Sequence, residues 1–256
     1  MTIWRFSTIK KVFLWMTLIF FVFMAAFFAH LLLTLTDVSD LRIKNPEKTA
    51  WMDMRIAQEK KQGRDYVVRY SWVPFENVPQ LLKDTVRIAE DAGFYWHKGV
   101  DFEELKEAIK KNLQEKKFVR GGSTITQQLA KNLYLSPQKS LTRKLREYLI
   151  ARKLEKKLSK DRIFELYLNV IELGHGVFGI QAASLHYFGC SVEELSLERI
   201  VRLVAILPRP LNTDPREDSP WLSWRCRWLL HKLQLYGYIT DEMYRENARI
   251  FGETLE

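Results

Sequence analysis

Between Val12 and Thr36 the chain runs for 25 residues without a formal charge, counting His30 as neutral. About 20 apolar residues cross a bilayer as a helix, so this run is long enough to span one. Backbone amides in lipid must pair within their own segment, which makes the run helical. Arg5, Lys10 and Lys11 precede it with no acidic residue, and Asp37 and Asp40 follow it. The positive-inside rule then places residues 1–11 in the cytoplasm, the anchor at 12–36, and everything after it outside. A cleaved signal has an apolar region of about 7–15 residues that ends at small residues. Here the run continues past Ala29 as His30-Leu31-Leu32-Leu33. An uncleaved single-pass anchor is therefore expected, and no second apolar run is long enough to span.

The rest of the chain must fold in water. With 47% hydrophobic and 28% charged residues in 256, it is neither disordered nor collagen-like. Two cysteines, Cys190 and Cys226, exclude a disulfide framework, and their pairing stays open. Five scattered histidines contain no His-x-x-x-His pair, which argues against a zinc hydrolase. Forty Lys+Arg against 31 Asp+Glu give +9, and the three cations before the anchor leave about +6 beyond it. Such a surplus implies an acidic partner: nucleic acid, anionic lipid or a phosphorylated substrate. The external location disfavours nucleic acid.

Periodicity after the anchor is mostly helical. Residues 37–74 read as a membrane-proximal segment whose best strand candidate is Tyr66–Trp72. Residues 75–256 read as one mainly α domain. Helices are expected over 78–90, 102–113, 124–135, 141–158, 160–173, 180–188, 197–207, 221–235 and 241–250. Ser191 with Glu194 matches a capping box.

Three segments carry residues suited to chemistry. In the run Glu90 to Asp101, Glu90 and Asp91 sit at a helix C-terminus. The helix dipole and their mutual repulsion both raise a carboxylate pKa there and make a better base. The same residues also fit a solvated acidic pair beside an aromatic core segment. In Gly121 to Asn132, two glycines precede a helix start, with Thr124 and Gln127 as a capping box. Free N–H groups at such a start attract anions. At about 100° per residue, Thr124, Gln128 and Lys131 share one face. A well-capped core helix explains the pattern equally. From Lys139 to Lys160 there are nine basic residues against Glu147 and Glu155. Arg143 and Glu147 are four apart and face the same way, and arginine forks suit phosphate oxygens. An ion pair on a solvated basic helix is the plainer reading.

Together the segments resemble the family of peptidoglycan glycosyltransferases, most closely its single-function, membrane-anchored members. The family's first motif is matched by Glu90, Asp91, Phe94, His97, Gly99 and Asp101. The second runs unbroken from Gly121 to Asn132, and the third is Arg143, Lys144 and Glu147. The fourth is seen in Lys160, Ile163, Glu165, Tyr167, Leu168, Asn169, Gly174, Gly179, Ala183 and Tyr187-Phe188-Gly189. The fifth is matched by Leu203, Ala205, Leu207 and Pro208, and departs at Ile200, where the family commonly has Glu. The resemblance covers roughly residues 75–210.

The resemblance implies a mainly α, lysozyme-like fold with a smaller membrane-proximal lobe. It implies polymerisation of lipid II onto a lipid-linked glycan chain at the outer face of the bacterial inner membrane. Glu90 and Glu147 would be the catalytic acids, with Glu90 the base and Glu147 holding the donor-side cations. Lys131 and Arg143 would bind the diphosphate, with Thr124 and Gln128 adding hydrogen bonds; Phe94, Ser123, Asn132 and Lys144 would belong to the substrate site, and Asp91 and His97, counted with it, would order the Glu90 loop. No metal cage is readable and no cofactor is required; the resemblance leaves room for Mg²⁺ or Mn²⁺ on the diphosphate. Other cell-wall synthesis or division proteins are compatible partners. Two rivals use the same features. A lysozyme-type hydrolase or lytic transglycosylase would also use a carboxylate in a helical fold, but has no use for a dense cation cluster. A non-enzymatic anchored scaffold explains the anchor and the charge, but not the Glu90 and Gly121–Asn132 motifs together.

Overall fold

Short polar residues start most of the helices, each by accepting a backbone N–H of the first turn that has no partner inside the helix. The computed structural model describes residues 2–115, 121–138 and 140–253, with side chains from residue 11 onward. Lys139, in the basic run, lies outside the described residues. The chain divides into two units, Met1–Asp37 and Val38–Glu256.

The first unit is α1 (Thr2–Leu33), of which Lys11–Leu33 is long and apolar enough to cross a membrane. Phe13, Phe20, Phe21 and Phe23 all stand exposed along it, as a lipid-facing helix requires. The helix stops three residues before the charge-free run does.

In the second unit Thr49 caps α2 (Ala50–Lys61) by accepting the Met52 N–H. The sequence reading contained no helix here. Only Met52 and Glu59 of α2 are buried, so there is no apolar stripe to read. Strand β1 is Arg69–Tyr70, far shorter than the expected 66–72. Next come α3 (Gln80–Glu90), α4 (Phe102–Gln114) capped by Asp101, and α5 (Ile125–Tyr134). Thr124 and Gln127 form the expected reciprocal capping box of α5. Ser140 caps α6 (Leu141–Lys157) and Ser159 caps α7 (Lys160–Val170).

Helix α7 ends earlier than its apolar pattern does. Ile171 turns extended, and β2 (Glu172–Gly174) pairs antiparallel with β3 (Val177–Phe178). A short apolar run fits helix and strand alike. Strand β1 joins β3 in parallel, giving the order β1-β3-β2. The rest is α8 (Ile180–Phe188), α9 (Leu197–Ala205), α10 (Pro220–Leu235) and α11 (Asp241–Ile250). Ser191 and Glu194 do form a capping box, but on a single 3-10 turn, Val192–Glu194.

Helix α5 packs against both α6 and α7, α3 packs against α9, and α10 covers α3 and α9. Ile125 and Leu129 of α5 and Ile163 and Leu166 of α7 are fully buried at the centre. Each such side chain stabilises by about 1.5–3 kcal/mol when removed from water. Because α2 packs on α5, residues 38–74 belong to the same compact unit as the motifs. Cys190 and Cys226 are both free thiols, and burial pushes the Cys226 thiol up to about 12.

Asn169 of α7, wholly buried, fastens the chain entering α3. Its Oδ1 accepts the Val73 N–H at 2.8 Å, and its Nδ2 donates to the carbonyls of Val73 and Glu165, both at 2.9 Å. Gly179, at φ 81°, lets the backbone pass against the Asn169 carbonyl where a Cβ has no room. Truncating Asn169 leaves buried backbone groups unpaired, at about 1–3 kcal/mol each. Asn169→Ala is expected to lower the unfolding free energy by about 2–4 kcal/mol in urea titrations.

Candidate active site

Helix α3 ends at Glu90 because Asp91 leaves helical geometry at φ −163°, ψ 77°. The Asp91 carboxylate then gathers two other parts of the chain. It accepts the His97 Nε2–H at 2.9 Å and the Ile125 N–H at 3.0 Å. Nδ1 of His97 accepts the Gly99 N–H at 3.1 Å, which is consistent with the proton on Nε2. The Thr124 hydroxyl donates to the Gly99 carbonyl at 2.7 Å. The loop after Glu90 is thereby fastened to the start of α5, one turn before Gln128.

That fastening sets Glu90 against Gln128. The Gln128 Nε2 donates to Glu90 Oε2 at 2.9 Å, and its Oε1 accepts from Tyr167 OH at 3.3 Å. Burial pushes the Glu90 carboxyl above its ordinary value of 4.5. The Gln128 hydrogen bond and the charges of Arg225 and Lys131 oppose this, and Asp91 adds to it. The direction matches the sequence expectation, but burial leads where the helix end was expected to. Burial also holds Tyr167 well above its usual value, with the charges of Glu90 and Asp91 adding to the effect.

One turn on from Gln128, Lys131 points its ammonium at the Trp51 ring, 5.2 Å from the centroid. It makes no hydrogen bond or ion pair among the described residues. Burial lowers its pKa, while the charges of Glu147 and Glu90 support the ammonium. On α6, Glu147 is nearly buried between two cations. It accepts from Arg143 Nη1 at 2.6 Å and from Lys144 Nζ. Lys144 Nζ also reaches the exposed Ser123 hydroxyl at 3.0 Å.

Several expected substrate contacts turn out otherwise. Phe94 is 0% exposed. It packs on Phe164 at 5.4 Å and beneath Lys160 Nζ at 4.4 Å, so it is a core residue and not a substrate contact. Thr124 is buried with its hydroxyl spent on Gly99 and on the Gln127 N–H, so it offers no free hydroxyl on the Gln128–Lys131 face. Asp91 and His97, with side chains 3% and 9% exposed, spend their polar atoms on ordering the loop after Glu90. Asn132 lines a cleft of about 370 Å³ together with Gln128, Lys131, Tyr167, Trp51 and Arg55. Trp51 and Arg55 come from α2 and belong to no motif. Ile200, at the position of motif departure, is buried in α9.

A further residue had no signal in the sequence. Among the described residues, two buried side-chain polar atoms lack a hydrogen-bond partner, Arg143 Nε and Arg225 Nε. Arg225, on α10, stacks over Trp228 at 4.4 Å. Burial lowers its pKa and the charge of Glu90 raises it. A basic residue in a basic chain gains meaning only from what the fold brings to it.

Among the described residues, Asp91, His97 and Asp101 bring ligand atoms within 4.8 Å of one another. Their atoms are already engaged with each other, Gly99, Ile125 and the α4 cap. The donor set beside the Arg143 and Lys144 cations is a single carboxylate, Glu147, already holding both. Neither place fits a resident divalent ion.

These features define a helical enzyme with a base-like carboxylate bonded to Gln128 and, one turn further along α5, a cation that lines a cleft. The sequence model of the Transglycosylase family matches residues 57–234. A protein of Nitrosospira multiformis named biosynthetic peptidoglycan transglycosylase is 40% identical over 219 residues, 86% of this chain and 95% of that protein. Similarly named proteins of Chromobacterium violaceum and Dechloromonas aromatica are 40% and 42% identical, covering 92% and 82% of their own lengths. The chain belongs to the transglycosylase family, and it is a peptidoglycan glycosyltransferase. Its N-terminal helix fits a protein anchored in the inner membrane.

A raised folded-state pKa means that Glu90 favours folding when neutral and opposes it once ionised. That opposition grows as pH rises above the ordinary 4.5. Glu90→Gln keeps the Gln128 hydrogen bond and removes the charge. It is therefore expected to unfold at the same or a higher temperature than the parent at neutral pH, with the difference shrinking toward about pH 4. Thermal unfolding followed by circular dichroism at both values checks this; a less stable variant at neutral pH contradicts it.

Proposed function

We propose that the chain polymerises lipid II into β-1,4-linked glycan with release of undecaprenyl diphosphate. Glu90 is the base that takes the proton from the acceptor's 4-hydroxyl as that oxygen attacks the donor's anomeric carbon. The donor bond is α and the product β, so one displacement with inversion suffices and no covalent sugar–enzyme intermediate is needed. A pKa above the ordinary carboxylate value makes Glu90 a stronger proton acceptor near neutral pH.

The departing diphosphate is met by Lys131, Arg143 and Lys144, which stabilise the charge that builds as the bond breaks. Glu147 keeps Arg143 and Lys144 extended and oriented, and Gln128 orients Glu90. The observation that carries this reading is the pair of orphaned guanidinium nitrogens, Arg143 Nε and Arg225 Nε. Buried donors without a partner are rare in folded proteins, and an anionic ligand beside either would satisfy it. Charge-assisted bonds to phosphate are also among the stronger hydrogen bonds. A divalent ion on the diphosphate would draw its ligands from the substrate and from water. Arg5, Lys10 and Lys11 ahead of the anchor support a cytoplasmic N-terminus and a catalytic unit on the outer face, beside its membrane-borne substrate. A hydrolase would leave the cation cluster without a task.

The test is purified full-length protein with labelled lipid II, followed by lysozyme digestion of any polymer. Polymer that lysozyme cuts to disaccharides is expected. Glu90→Gln is expected to lower turnover by about 10²–10⁴-fold, the usual loss of a general base. Turnover within a few-fold of the parent in the folded variant would contradict the role of Glu90.

A further inference from the structure

Trp51 lies outside every segment that carries the family resemblance, yet it is held as firmly as any residue of the cleft. Its Nε1–H donates to Glu172 Oε2 at 2.8 Å. Arg55, one turn along α2, grips the same carboxylate with both ends of its fork. Its Nε reaches Oε1 at 2.7 Å and its Nη2 reaches Oε2 at 2.8 Å. The pair is mostly shielded, with side chains 19% and 8% exposed. Glu172 opens β2 and is itself fixed by pairing with Phe178 of β3. Helix α2 is thus clamped to the sheet, and the indole has one orientation.

The indole face has two cations near it, Arg55 at 5.4 Å and Lys131 at 5.2 Å from the centroid. Arg55 is already neutralised by Glu172. Lys131 makes no hydrogen bond or ion pair among the described residues, and burial disfavours its ammonium, with the charges of Arg143 and Lys144 adding to this and that of Glu147 opposing it. A flexible four-carbon stem in that position has no geometric restraint of its own. A ring face attracts an ammonium and is strongest when both are out of water.

We infer that Trp51 is a positioning residue: its indole face holds the Lys131 ammonium aimed into the cleft, and the Glu172–Arg55 pair holds the indole. The inference rests on Lys131 binding the substrate diphosphate. Holding the ammonium on a ring rather than on a carboxylate has a chemical consequence. A carboxylate partner would compete with an incoming phosphate and lower its affinity, whereas a ring face leaves the positive charge available.

Two variants separate the ring face from the hydrogen bond. Trp51→Phe and Trp51→Leu both lose the Nε1–Glu172 bond, and only the first keeps an aromatic face. Their melting temperatures are expected to fall alike. Polymerisation of labelled lipid II by full-length protein is expected to lose about tenfold in kcat/KM in Trp51→Leu, and less than threefold in Trp51→Phe. Adding Trp51→Leu to Lys131→Met is expected to cause no loss beyond that of Lys131→Met alone. A readout free of activity accompanies these: ¹³Cε-lysine spectra, with the Lys131 signal identified by its absence in Lys131→Met. A ring-current upfield shift of that signal is expected in the parent and in Trp51→Phe, and its loss in Trp51→Leu. Equal impairment of the two Trp51 variants, or an unshifted Lys131 signal in the parent, overturns the inference. A shifted Lys131 signal in a parent that makes no polymer would support the contact and sink the proposed function instead.

Discussion

One carboxylate joins the two halves of the catalytic face. Asp91 accepts from His97 at the far end of its own loop and from the Ile125 N–H at the first turn of α5. Residues from two helices far apart in sequence are thereby brought into register. Glu90 stands at the last position of α3, and Gln128 one turn into α5 meets it at 2.9 Å. A carboxylate at a helix N-terminus is favoured by the free N–H groups there, so Asp91 is stable where it stands. The adjacent Glu90, denied that partner, meets Gln128 instead.

The same burial acts in opposite directions on the two groups that face each other. It drives Glu90 toward its neutral form and Lys131 toward its own neutral form, while each supports the charge of the other. Among the described residues neither is locked in an ion pair, so both remain available to a substrate. Glu147 contrasts with them, since Arg143 and Lys144 already occupy it. In the proposed mechanism one of the two acids in the motifs moves a proton and the other holds cations in place. Such a division of labour follows when like groups sit in unlike surroundings.

Much of this was legible because it is local. Thr124 marks a helix start as a short polar residue before an apolar stripe, and the helices expected from 141 and 160 also begin where the pattern puts them. Helix α2 was not legible, since its burial comes through Met52 and Glu59 rather than through a stripe. Phe94 belongs to the first motif by spacing, but spacing does not distinguish a core aromatic from a substrate contact, and the fold places it in the core. Thr124 was legible as a cap and also as a face residue, yet its hydroxyl serves only the first. Arg225, Trp51 and Arg55 carried no sequence signal, because their significance lies in partners far along the chain, 117 residues away for Arg55 and Glu172.

The central claim is that a half-buried, ionisable Glu90 governs turnover. Its most direct test is the pH dependence of lipid II polymerisation, measured as kcat/KM, which reports the free enzyme's essential groups. The account predicts an acidic limb with its midpoint above the ordinary carboxylate value of 4.5, since burial raises the Glu90 pKa and the base must be ionised to act. A midpoint at or below 4.5, in a protein that stays folded across the range, would contradict it.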